Sequence, residues 1–145
     1  MKAFITLALL IGFSVSSNAQ TDLKTIQEIE KVCSYYLDGG TNGDSVMFSK
    51  SFLPEGTMMY MRNDTLKTVS LKQFMAGFRN TGQKANRKTR IESIQVFGNA
   101  AVAKLTCEYE TFYFHDLMQL LKTKDGWIIV SKIFHREDKV VSKPN

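Results

Sequence analysis

The final third of the chain constrains the fold most. Between residues 90 and 136 it reads as a run of long strands punctuated by turn dipeptides. Residues 90–97 form one strand and Gly98-Asn99 turns the chain. Residues 100–110 then alternate. Ala101, Ala103, Leu105, Cys107 and Tyr109 share one face, and Lys104, Thr106 and Glu108 share the other. Residues 112–122 are a further strand, Asp125-Gly126 is a hairpin turn, and residues 127–136 close the sheet. Residues 137–145 read as a polar tail.

Upstream the period changes from two to 3.6. Leu23, Ile26, Ile29, Cys33, Tyr36 and Leu37 make one apolar stripe opposite Lys24, Gln27, Glu28 and Lys31. This predicts a helix capped by Asp22 and stopped by Gly39-Gly40. Asp44 caps a short second helix carrying Val46, Met47, Phe48 and Phe52, ended by Pro54. Residues 57–62 and 65–69 form a hairpin around Asn63-Asp64, and Ser70 caps a third helix bearing Leu71, Phe74, Met75 and Phe78. Helices segregated from an antiparallel sheet are an α+β arrangement. A strongly bent sheet around the first helix makes a cone with an internal cavity.

The first residues have another purpose. Lys2, an apolar run over residues 3–13, and small residues ending at Ser17 and Ala19 follow the grammar of a secretory leader. The run is about half the roughly 20 residues a membrane-spanning helix needs. Cleavage after Ala19 would leave one domain, residues 20–145, in the periplasm or outside the cell, with no membrane association. Loss of Lys2 lowers the net charge of +5 by one. The basic cluster at Lys84, Arg87, Lys88 and Arg90 reads as a solvated loop, and nucleic-acid binding does not suit an exported domain. Cys33 and Cys107 read as small buried hydrophobes, although an oxidising compartment permits a bridge. No spacing of metal ligands is present, and no cofactor or metal is expected.

The helix ending at Tyr36, the Asn42-Gly43-Asp44 turn and Phe52-Leu53-Pro54 resemble the opening of nuclear transport factor 2-like domains. The segments Ala100-Ala-Val-Ala-Lys104, Phe114-His-Asp116-Leu-Met-Gln-Leu-Leu121 and Gly126-Trp-Ile-Ile-Val-Ser-Lys-Ile-Phe-His-Arg136 resemble the branch named "putative lumazine-binding". The resemblance spans residues 20–145 and implies a cone-shaped, cystatin-like fold: three N-terminal helices against a strongly bent antiparallel sheet. Ketosteroid isomerase relatives carry a carboxylate base at the end of the first strand and a tyrosine oxyanion donor on the first helix. Here Tyr60 occupies the first position and Tyr36 the second, so the donor is present and the usual base is absent.

The candidate site residues follow. Asp116 lies among Phe114, Met118 and Leu120, where a carboxylate must be paired, hydrogen-bonded or protonated. It is either a pocket acid or base, or a structural partner of His135 or another basic group. His135, in step with Trp127, Ile129 and Ile133, is either a proton carrier at the mouth of the cone or a packed core histidine. Counting outward from Asp125-Gly126 sets Asp116 opposite His135 as a dyad. Tyr36, Tyr60, Met59, Phe78, Phe114 and Met118 are candidate ligand contacts. His115 faces the other way, toward a subunit contact, and Leu117, Leu121, Val130 and Phe134 make a face for a homodimer through the sheet. Three functions stay open: an exported module binding a small apolar or aromatic molecule, an acid–base enzyme using Asp116, His135 and Tyr36, or a structural homodimer with a filled cavity.

Overall fold

A computed structural model describes residues 16–140, and side chains from residue 22 onward. Residues 1–15 of the predicted leader, and the last five residues, lie outside the described residues. Helix α1 spans Ser16–Asn42 and buries Ile29, Cys33, Tyr36 and Leu37 of the predicted stripe together with Val32, whereas Leu23 at the start of the stripe is 59% exposed. Its ends differ from expectation. Asp22 lies within the helix and caps nothing, and Gly39-Gly40 continue it for another turn. The two glycines serve close packing instead. A Cβ on Gly39 would stand 2.5 Å from the Phe48 amide nitrogen, and one on Gly40 would stand 2.3 Å from the Arg87 guanidinium. Arg87 Nη2 donates to the Leu37 carbonyl at 2.8 Å, and its charge offsets the negative end of the helix dipole.

Asp44 caps α2 (Ser45–Ser49), its carboxylate accepting from the amides of Val46 and Met47. Pro54 was expected to end this helix. It lies instead within β1 (Phe52–Arg62), in the stretch where β1 slips register against its neighbour. Asn63 and Asp64, at φ 49° and 56°, make the left-handed two-residue turn into β2 (Thr65–Ser70). Ser70 and Gln73 form a capping box at the start of α3 (Leu71–Gly77).

Strands β3 (Lys88–Phe97), β4 (Ala100–Glu108), β5 (Phe112–Thr123) and β6 (Gly126–Asp138) complete a six-stranded sheet of order β2-β1-β6-β5-β4-β3. The polar tail therefore begins later than expected, because β6 runs on to Asp138. Four pairings are antiparallel, but β1 lies parallel to β6, so the curved sheet is mixed rather than antiparallel. The reason is topological. The chain enters at β1 and returns last as β6, so the two meet without a connecting hairpin to reverse one of them. Helix α1 packs on β3 and β6, and α3 packs on β1.

One irregularity positions the site. The β5–β6 turn residues are Lys124 and Asp125, with Thr123 opposite Gly126. Pairing continues to Leu120 opposite Ile129, but Gln119 then stands opposite Ser131, leaving Val130 as a bulge. Trp127 and Ile129 face the core on one side of the bulge, and Lys132 on the other. Gly56 of β1 accommodates it, since a Cβ there would lie 2.3 Å from the Val130 carbonyl oxygen.

Candidate functional site

Two departures overturn the predicted dyad: the turn falls at Lys124-Asp125 rather than Asp125-Gly126, so Lys122 rather than Lys124 pairs with Trp127, and the Val130 bulge then reverses the facing of β6 beyond it. Asp116 stands opposite Phe134, and His135 stands opposite His115 on the outer face of the sheet. Directly paired residues share a face, so Asp116 and His135 point to opposite sides. The inward partner of Asp116 is Lys132, two residues along β6 from Phe134. Lys132 Nζ lies 2.5 Å from Asp116 Oδ1, with the carboxylate fully buried and the lysine side chain 4% exposed. This contact is an ion pair without hydrogen-bond alignment, and Oδ1 has no hydrogen-bond partner. Tyr36 closes the triangle. Its hydroxyl donates to Asp116 Oδ2 at 2.6 Å and accepts from Lys132 Nζ at 2.8 Å. The Tyr36 proton is thus committed to a carboxylate rather than offered to the cavity.

Electrostatics follow from burial. Desolvation, and then the neighbouring Asp116 charge, push the Tyr36 hydroxyl well above its ordinary value. Desolvation pulls the Lys132 ammonium below its ordinary value, although Asp116 opposes the shift. The ammonium also lies 4.7 Å from the Tyr36 ring centroid and 5.1 Å from that of Phe134, a cation–π setting. A buried ion pair is often no more stabilising than a packed apolar pair.

Lys132 and Tyr36 line a cavity of about 290 Å³. Its walls are Phe48, Met58, Tyr60, Phe74, Phe78, Tyr109, Phe114 and Phe134. Phe48 and Phe78 stack at 4.3 Å, and Tyr60 and Phe134 at 4.7 Å. Arg87 lines the cavity too, donating from Nη1 to Tyr109 Oη and from Nε to Thr41 Oγ1, each at 2.9 Å. Of the expected ligand contacts, Tyr36, Tyr60, Phe78 and Phe114 line this space. Met118 is wholly buried in the core opposite Lys132 and does not. Met59 points the other way, 38% exposed, because Met58 and Tyr60 take the inward positions of β1. Phe134, assigned to the outer face, is turned inward by the bulge, and Ile133 takes its place outside. Val130, also assigned there, is the bulged residue and is only partly exposed. Cys33 and Cys107 are both buried and free.

Lys132 and Arg87 were missed by sequence reasoning. Lys132 was passed over because the alternation counted from Trp127 turns it outward. The available signal was Gly56, just before the predicted strand, where a glycine can mark a close backbone approach. Arg87 was grouped with solvated neighbours, and nothing local separates it from Lys84 and Lys88.

The fold and this inward-facing site define a nuclear transport factor 2-like domain. An NTF2-like protein of unknown function from Shewanella baltica superposes with a TM-score of 0.72 at 26% identity, covering 86% of this chain and all of that one. One from Methylobacillus flagellatus gives 0.69 at 28% identity, covering 87% of this chain and 99% of that one. A ketosteroid isomerase-like protein from Erwinia carotovora shares the fold at 13% identity, with a TM-score of 0.61, covering 78% of this chain and 96% of that one. No curated protein gives a significant match. The chain belongs to the "Putative lumazine-binding" family, whose profile matches residues 24–135.

Proposed function

We propose that this protein is an exported binding module for a small aromatic molecule bearing an acceptor or anionic group. The observation that carries the reading is the 290 Å³ cavity, walled by aromatic rings with Lys132 and Arg87 as its cations. Aromatic walls with few placed polar groups are the usual make-up of a ligand pocket. Lys132 Nζ has three donors. One goes to Tyr36 and one faces Asp116. A ligand acceptor can take the third. The family name and the fold agree with small-ligand binding. Acid–base chemistry by an Asp116–His135 pair is not available, because the sheet separates the two.

Native mass spectrometry of protein purified from its source tests this. A retained aromatic species, released on denaturation and lost in Phe78→Ala, is the expected result. Failure to retain any ligand, together with no binding of small aromatic carboxylates by titration calorimetry, would sink it.

Export and self-association belong to the same reading. The leader grammar supports a chain beginning at Gln20, which intact-mass analysis of exported protein checks. On the outer face, Met59, Met61, Leu66, Leu117 and Ile133 line a groove of about 470 Å³. Several of them are between 38% and 62% exposed, the kind of apolar patch that a second copy covers. Light scattering should give a dimer for the wild type and a monomer for Leu117→Glu/Ile133→Glu. A wild-type monomer at micromolar concentration counts against it. Among the described residues no helix is long and apolar enough to cross a membrane.

A further inference from the structure

We propose that Lys132 captures small aromatic aldehydes or ketones as an imine within the aromatic cavity. The proposal rests on the cavity reading above and adds a covalent step to it. Three features meet at this side chain. Lys132 lines the cavity, although its side chain is only 4% exposed. A carboxylate oxygen lies 2.5 Å away and a tyrosine hydroxyl 2.8 Å away, so groups able to carry protons touch the nitrogen. The lining is mostly aromatic and the side chain is desolvated, which favours a neutral amine. The buried ion pair is hard to explain as a stabilising device, since an apolar pair would serve as well. A lysine that must lose its proton to react needs such a neighbour.

The step balances without an outside reactant. The Lys132 ammonium passes a proton to Asp116, leaving a free amine and a neutral carboxyl. The amine lone pair attacks the carbonyl carbon, the C=O π pair moves to oxygen, and a proton moves from nitrogen to that oxygen to give a carbinolamine. Asp116 returns its proton to the hydroxyl, water leaves, and the nitrogen lone pair forms the C=N bond. The product is a protonated imine beside an Asp116 carboxylate. The net change is ammonium plus carbonyl giving iminium plus water. Burial also lowers the Lys132 pKa, and each unit of lowering raises the free-amine fraction at neutral pH about tenfold.

The test incubates the full exported chain with benzaldehyde and sodium cyanoborohydride, then maps the benzylated peptides by mass spectrometry. Exposed Lys104 and Lys122, each 48% exposed, are internal references. Modification of Lys132 about ten times faster than either is the expected result. Modification of the references with Lys132 left intact overturns the proposal. Benzyl alcohol, which has no carbonyl, is followed in parallel by ligand-observed NMR. If it binds and Lys132 is not trapped, the imine is wrong and the cavity stands. If it does not bind and Lys132 is not trapped, both fall. Lys132→Arg keeps the cation without the primary amine. It should lose the cavity adduct, and an adduct rate on the remaining lysines equal to the wild-type total would also overturn the assignment.

Discussion

The two faces of the sheet carry similar chemistry in different solvents. On the inner face, Lys132, Asp116 and Tyr36 form a closed triangle with the lysine and aspartate almost wholly out of water. On the outer face, Glu92 lies 2.8 Å from Lys104 and 3.1 Å from Arg90 and accepts from Thr106 Oγ1 at 2.5 Å. Thr106 is 3.4 Å from His115 Nδ1, and His115 Nε2 is 2.8 Å from Glu137. The distances are comparable and the energetic consequences are not. Outside, water screens each charge, and hydrogen bonds from Lys104 and Thr106 hold the Glu92 carboxyl down to about 2. Inside, desolvation is the leading cause and pulls the lysine down despite its counter-ion. Burial decides which network is costly to break.

The largest expected effect is therefore on the inner face. Lys132→Ala or Asp116→Ala strands a buried charge and should cost about 3–5 kcal/mol, read by urea melts. Lys132→Met/Asp116→Leu should recover most of that loss. If the double variant is as unstable as either single one, the triangle is a staple after all.

Alkaline pH gives the next effect. Desolvation, aided by Glu30, pushes the Cys33 thiol from 9.0 up to about 12. The folded protein keeps a proton that the unfolded chain loses. Stability from this group is complete below 9.0 and falls as pH rises toward 12, by about 1.4 kcal/mol per unit. Cys33→Ala should flatten the slope by that amount in melts between pH 9 and 12. An unchanged slope would mean that the thiol is not desolvated.

Gly56→Ala comes third. Its Cβ would meet the Val130 carbonyl at 2.3 Å, a backbone atom that cannot swing aside. A cost of about 1–3 kcal/mol is expected, with altered amide shifts along β6. A silent substitution would show that the bulge does not need Gly56.

The outer network should respond least. His115→Ala removes contacts to Thr106 and to an exposed Glu137 and should change stability by less than about 1 kcal/mol. Acidification should weaken this face as pH falls from 4.5 toward about 2, where Glu92 finally takes a proton. NMR titration of its carboxyl checks this. A loss near that of Lys132→Ala would erase the contrast between the faces.

The sequence by itself determined the elements and much of their facing. The 3.6-residue stripe from Ile29 to Leu37 fixed the buried side of α1, and period-two alternation placed Ala101, Ala103, Leu105 and Cys107 inside. Asn63-Asp64 fixed the first hairpin, and Asp44 and Ser70 fixed two caps, because each is a local preference of a few residues. Tyr36 and Asp116 were legible as buried polar groups, since a hydroxyl and a carboxylate on apolar faces need partners wherever they lie. The identity of the partner was not legible. One bulged residue at Val130 reversed the alternation of β6, sending His135 out and bringing Lys132 in. That bulge forms where β6 meets both β5 and β1. Arg87 likewise reached the cavity only because α1 ran on past two glycines to meet it. Periodicity propagates along one strand, and a slip of one residue is settled between strands, so only the assembled sheet could decide which cation sits beside Asp116.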